Sequence, residues 1–128
     1  MATKDINPDL TDDQKAVLFE KATEAPFTGK FLLGKESGMY TCANCGSELF
    51  DSATKFDSGS GWPSFYDVAK SGAVKIETDE SHGMIRSEAV CAKCGGHLGH
   101  VFDDAHDQPT GQRFCINSAA LDFKPKSV

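Results

Sequence analysis

Four of the five cysteines in this chain fall in two pairs of equal spacing, Cys42-Ala43-Asn44-Cys45 and Cys91-Ala92-Lys93-Cys94. Each pair opens the same pattern, C-A-x-C-G-x-x-L, over 42–49 and again over 91–98. A glycine directly after the second cysteine suits a tight knuckle, where the backbone needs a positive φ or a close approach. Two such knuckles bring four thiolates to one ion. Tetrahedral four-sulfur ligation favours zinc, with an iron–sulfur centre second. No coordination position is left open, so the ion is expected to be structural. The competing readings are two redox-active pairs or chance spacing. A redox C-x-x-C wants a strand before it and a helix after it, and neither pair has helix signals behind it. At 128 residues the chain suits one domain, near the size where such a staple helps a small core.

Composition narrows the classes further. A formal net charge of -6 gives no general attraction to phosphate backbones, so nucleic acid is not an expected partner. No apolar run is long enough to span a bilayer. The first ten residues, MATKDINPDL, lack the apolar core of a secretory signal, and Asp5 and Asp9 without an arginine do not read as a mitochondrial leader. An odd cysteine count without a secretory signal argues for metal rather than disulfides.

Residues 1–10 read as a loose arm, 11–124 as one domain and 125–128 as a tail. Thr11-Asp12-Asp13-Gln14 has the form of a capping box, with two acids in the first turn favouring the helix dipole. The helix is expected to run to about Thr23, burying Val17, Leu18, Lys21 and Ala22, with Pro26 as its stop. Beyond Gly38 the chain reads as strands and turns. Strands are expected over 73–78, 84–91, 99–103 and 112–117, with turns over 28–30, 35–38 and 79–83. The fold class is mainly β, a small and mostly antiparallel sheet or barrel behind an N-terminal helix.

The fifth cysteine, Cys115, lies in Arg113-Phe-Cys-Ile-Asn117. On a strand, period two puts Arg113, Cys115 and Asn117 on one face and Phe114 and Ile116 on the other. An arginine there would stabilise a thiolate, and an asparagine would fix a ligand or a histidine. The plain reading is a small buried hydrophobe beside a surface ion pair. His97 and His100 sit three apart in a glycine-rich turn, Gly95-Gly-His-Leu-Gly-His-Val-Phe102. Imidazoles near a thiolate supply a proton at neutral pH, although His97 also stands where a spare metal ligand would. Ser58-Gly-Ser-Gly-Trp-Pro-Ser-Phe65 reads as a sharply bent loop that presents Trp62, stiffened by Pro63, as a wall for a small apolar group or as core.

Taken in order, the loop 58–65, the two knuckles, the stretch 95–102 and Arg113-Phe-Cys-Ile-Asn-Ser118 closely resemble the B-type methionine sulfoxide reductases, which reduce the R epimer at sulfur. The likeness covers residues 11–124. It implies a twisted, barrel-like antiparallel β fold with a structural zinc on Cys42, Cys45, Cys91 and Cys94. It implies Cys115 as the catalytic cysteine, Trp62 and Phe102 as substrate-binding residues, and His97 and His100 as active-site histidines. Arg113 and Asn117 match the residues flanking the nucleophile, and Asp104 matches a carboxylate that organises the histidines.

By the same likeness, the Cys115 thiolate attacks the sulfoxide sulfur, a histidine protonates the departing oxygen, and a sulfenic acid remains. Many members carry a resolving cysteine where this chain has Ser60. That difference implies regeneration by an external thiol, such as thioredoxin or glutathione with glutaredoxin, unless Ser60 replaces an original cysteine. The implied substrates are oxidised proteins carrying methionine-R-sulfoxide. The expected setting is the cytoplasm, or an organelle matrix if a leader was removed, with the chain a monomer. The rivals are a non-enzymatic zinc-knuckle module that binds a protein partner, and a metal or redox buffer. Cys115 separates them, because only a reductase requires a reactive thiol.

Overall fold

A computed structural model of the chain describes residues 7–20, 22–25, 27–29, 31–32, 37–59, 61–70, 72–80, 83, 85–105 and 108–125. The helix α1, Asp12–Glu20, begins as expected. Thr11 N–H donates to Gln14 Oε1 at 2.8 Å and Gln14 N–H to Thr11 Oγ1 at 3.2 Å, the two reciprocal bonds of a capping box. It ends earlier than expected. Among the described residues, 22–25 are irregular, and Glu24 is held by bonds to residues 117–119. Pro26 and Lys21 lie outside the described residues. Residues 7–10, expected as part of a loose arm, are tied down. Asn7 N–H donates to Asn44 Oδ1 at 2.7 Å, and Leu10 is buried.

Among the described residues nine strands follow: β1 Gly38–Cys42, β2 Glu48–Asp51, β3 Lys55–Phe56, β4 Ser64–Phe65, β5 Val74–Asp79, β6 Arg86–Cys91, β7 His97–Phe102, β8 Arg113–Ile116 and β9 Leu121–Pro125. They form a three-stranded sheet, β2-β1-β9, and a six-stranded sheet, β3-β4-β8-β7-β6-β5. Every pairing is antiparallel. The mainly β, antiparallel class therefore holds, arranged as two sheets. Among the described residues, β3 and β5 stand at the ends of the larger sheet.

The core lies between the sheets and is rich in aromatic rings. Phe50 of β2 stacks on Phe65 of β4 with centroids 4.5 Å apart. Tyr40 of β1 meets Phe65 edge-on at 5.1 Å, and Phe50 meets Phe114 of β8 at 5.6 Å. Such pairs each add about 0.5–1.5 kcal/mol beyond the area they bury. Helix α1 closes one side, burying Val17 and Leu18 against β7 and the short 3-10 turn Ser118–Ala120. No described helix is long and apolar enough to cross a membrane.

Candidate active site and metal centre

The two faces of the larger sheet have opposite characters. Along β8, Phe114 and Ile116 enter the core, so Arg113 and Cys115 take the other face. Residues directly opposite each other in a ladder share a face. Cys115 is opposite His100 of β7 on one side and Ser64 of β4 on the other. His100 is opposite Glu88 of β6. A single row, Ser64, Cys115, His100 and Glu88, therefore crosses four adjacent strands.

Two histidines three apart fall on opposite faces of a regular strand. Here the β6–β7 register shifts: Ala89 pairs with Gly99, but Val90 pairs with His97. Leu98 is the extra residue, a bulge that goes to the core and brings His97 round to the side of His100. The two rings then meet edge-on with centroids 5.4 Å apart. The glycine-rich turn expected over 95–102 is thus strand from His97 onward. Gly99 is there for close packing. A Cβ at that position would lie 2.0 Å from the carbonyl oxygen of Cys115, so β7 and β8 approach this closely only with glycine.

Carboxylates that sequence reasoning missed hold both rings. His97 Nδ1 is 2.6 Å from Glu88 Oε2, and both side chains are buried. His100 Nε2 is 2.8 Å from Asp79 Oδ2, whose carboxylate also pairs with Arg86 at 3.6 Å. Each bond fixes which ring nitrogen carries the proton and how the ring is turned. Asp104, expected to organise the histidines, belongs to Arg113 instead. Arg113 Nε and Nη2 donate to the two Asp104 oxygens at 2.9 and 2.8 Å, a bidentate clamp. The guanidinium also lies over the Phe102 ring, 4.5 Å from its centroid. So held, it aims Nη1 at Cys115 Sγ, 2.8 Å away. Asp104, then Cys115, keep the Arg113 pKa above its ordinary value despite partial burial.

On the other side of Cys115, Ser64 Oγ lies 3.7 Å from the sulfur and 2.7 Å from Ser58 Oγ. Cys115 itself is only 8% exposed. It opens into a cavity of about 250 Å³ that Trp62, His100, Phe102, Arg113 and Asn117 also line. That is below the roughly 300–1,000 Å³ of sites for drug-sized ligands, and it suits one side chain. Thr23, Arg86 and Gly99 complete the walls. His97 stands behind His100, and Asp104 behind Arg113. Trp62 is half-buried, with its Nε1–H donating to the Glu24 carbonyl at 2.9 Å. Asn117 Nδ2 donates to the Leu98 carbonyl at 3.0 Å. Ser60, His82 and His106 lie outside the described residues.

The link from Asp79 to His100 gives a direct expectation. Asp79→Asn keeps the shape but removes the charge that pairs with the His100 ring. If the site runs the acid–base chemistry that the sequence resemblance implies, kcat toward a sulfoxide peptide should fall by about 10²-fold, the usual scale for one such group. Steady-state kinetics beside circular dichroism checks it, and an unchanged kcat in folded protein would remove Asp79 from the site.

The two knuckles have matching backbones. Gly46 N–H donates to the Cys42 carbonyl at 2.9 Å, and Gly95 N–H to that of Cys91 at 2.7 Å. Both glycines have positive φ, 78° and 76°. Cys42 ends β1 and Cys91 ends β6, so the cluster joins the smaller sheet to the larger. All four Sγ atoms lie within 4.8 Å of one another, with Cys42–Cys94 at 3.7 Å and Cys45–Cys91 at 3.5 Å. A tetrahedral ion with bonds of about 2.3 Å to sulfur needs separations of about 3.8 Å, so the donor set fits zinc. The thiols also show the crowding that a cation relieves. Hydrogen bonding with Cys91 and Cys94, with burial, pushes Cys42 far above the ordinary thiol range. Cys94, bonded by Cys42 and Cys91, is drawn far below it. Cys91 is pushed up to about 11, since Cys94 and burial outweigh its lowering bond from Cys42.

Comparison with known proteins shows the family to which the chain belongs. The SelR domain matches residues 10–125. Peptide methionine sulfoxide reductase MsrB of Methanosarcina mazei is 58% identical over 114 residues, spanning 89% of this chain and 81% of that protein. The protein of the same name from Bradyrhizobium diazoefficiens is 58% identical over 118 residues, spanning 92% and 84%. Methionine-R-sulfoxide reductase B3, mitochondrial, of Mus musculus is 51% identical over 122 residues, spanning 95% of this chain and 48% of that longer protein. The chain belongs to the SelR-domain family of B-type methionine sulfoxide reductases.

Proposed function

We propose that the chain reduces methionine R-sulfoxide within oxidised proteins, with Cys115 as nucleophile and an external thiol as the final reductant. The observation that carries this reading is the Cys115 sulfur itself. It sits at a pocket floor with a guanidinium N–H at 2.8 Å and a carboxylate-held imidazole on the neighbouring strand.

The guanidinium N–H lies within hydrogen-bond reach of the sulfur that attacks. The sulfoxide methyl lies against Trp62 and Phe102, where a polarizable sulfur also gains from the ring. The Cys115 thiolate attacks the sulfoxide sulfur. His100, held at Nε2 by Asp79, takes the Cys115 thiol proton on its other ring nitrogen and gives it to the oxygen as charge builds there; the S–O bond of the substrate breaks and the oxygen passes to the Cys115 sulfur. In balance, one thiol and one sulfoxide become one sulfenic acid and one thioether. Two external thiols then return Cys115 to the thiol, leaving one disulfide and one water. Serine at position 60 cannot supply an internal disulfide, and ligated knuckle thiolates are poor resolvers. The metal is zinc, held by Cys42, Cys45, Cys91 and Cys94; when bound it stabilises the fold and takes no part in the chemistry. Thioredoxin or glutathione with glutaredoxin fits the reductant, and a reducing compartment such as the cytoplasm fits the free thiols.

The test is reduction of peptides carrying either sulfoxide epimer, with dithiothreitol as reductant. Only the R epimer should turn over. Mass spectrometry after one turnover without reductant should find Cys115 16 Da heavier, as one added oxygen requires, or trapped by a sulfenic-acid reagent. An internal disulfide to Cys115 would overturn direct regeneration. Turnover of neither epimer by folded, metal-loaded protein would favour the zinc-pinned interaction module.

A further inference from the structure

We propose that Glu24 is a positioning residue of this site, one that sets Trp62 and Asn117 relative to each other. The proposal rests on the functional reading above for what those two residues do. Glu24 belongs to none of the motifs singled out in the sequence, and it lies in the irregular stretch after α1.

Its bonds join three distant parts of the chain. The backbone N–H of Glu24 donates to Asn117 Oδ1 at 3.0 Å. Its carbonyl accepts the Trp62 indole N–H at 2.9 Å. Its carboxylate accepts the N–H groups of Ser118 at 3.0 Å and Ala119 at 3.1 Å. Those two N–H groups open the 3-10 turn Ser118–Ala120, where unpaired donors need an acceptor. Asn117 stands at the cap position but makes no side-chain capping bond there. The Glu24 carboxylate does the capping, which frees the Asn117 amide to face Glu24 and Leu98. Side chain and backbone of one residue thus divide the work. The carboxylate anchors residue 24 to the turn after the nucleophile strand, and its peptide groups then hold one pocket wall on each side. Packing leaves little slack, because a Cβ on Gly29 would lie 2.4 Å from Glu24 Oε2. Charge-assisted bonds to a carboxylate are about twice as strong as neutral ones, so an anion suits this anchor.

Trp62 is the only tryptophan, so its fluorescence reports on the site directly. The experiment uses the full, metal-loaded chain with Glu24→Ala and Glu24→Gln. It measures acrylamide quenching of Trp62 without substrate, then kcat and KM for the R-sulfoxide peptide. Glu24→Ala should raise the quenching and lower kcat/KM about tenfold or more, the scale of a small misplacement at a reacting centre. Glu24→Gln keeps one acceptor and should fall between Ala and wild type. If Glu24→Ala does not fold, Glu24→Gln carries the same test at smaller size. Unchanged quenching in the folded variants overturns the proposal, and so does unchanged kcat/KM, even beside a lower Tm. If the wild type reduces no sulfoxide, the functional reading fails, and the quenching still decides whether Glu24 holds Trp62.

Discussion

Cys115→Ala should abolish reduction of the R-sulfoxide peptide, by at least about 10³-fold in kcat, while leaving the metal in place. The loss is large because the neighbours of Cys115 act only through its sulfur. Arg113 Nη1 has its acceptor there, and Ser64 Oγ its close contact. In the proposed mechanism, with the sulfur gone, His100 has a proton to give but no bond being broken to receive it. The protein itself should survive. Alanine fits the space of a buried cysteine, and the lost packing is small, about 1 kcal/mol. Epimer-resolved turnover, with metal content and Tm measured on the same preparation, checks the claim. Residual turnover near wild type would move the nucleophile elsewhere.

Loss of the metal should do the opposite, removing the fold and the activity with it. Cys42→Ser leaves three thiols, and a strong chelator at neutral pH four, crowded without their ion at the junction of β1 and β6. Structural zinc sites of this kind contribute roughly 10–16 kcal/mol of binding free energy, which a folded apo form forgoes. Even a few kcal/mol of net loss lowers Tm by about 10 °C or more in a domain of this size. Thermal unfolding monitored by circular dichroism, beside metal analysis, reads it. A chelated protein that keeps its Tm would make the cluster incidental to stability. Cys115→Ala and Cys42→Ser therefore separate chemistry from architecture.

Local and repeated signals were legible in the sequence. The doubled C-A-x-C-G pattern marked both knuckles because each is built from bonds within six residues. The capping box at Thr11 is equally local. Alternation along 113–117 sorted Cys115 from Phe114 because a strand's period is fixed by its geometry. Features made by pairing between distant strands were not legible. Leu98 becomes a bulge only against β6, so nothing in 95–102 alone shows that His97 and His100 share a face. Asp79 and Glu88 reach the histidines through the register of β5, β6 and β7. An acid at 88, in a strand that otherwise turns buried toward Cys91, was the one available hint. Asp104 went to Arg113 because the clamp forms across a loop whose path the sequence does not specify. The early end of α1 has the same origin, since Glu24 serves residues 93 to 95 positions away.

The place of Cys115 within the larger sheet carries a further consequence. It stands on β8, bonded to β4 on one side and β7 on the other, rather than on a mobile loop. Fraying at a sheet edge does not displace it, because it is paired on both sides. The placing of its sulfur against Arg113, Ser64 and His100 then lasts as long as both ladders do, and is lost only with cooperative opening of the sheet. A thiol set in mid-sheet gives up freedom of movement and gains surroundings that keep their shape as long as the whole domain does.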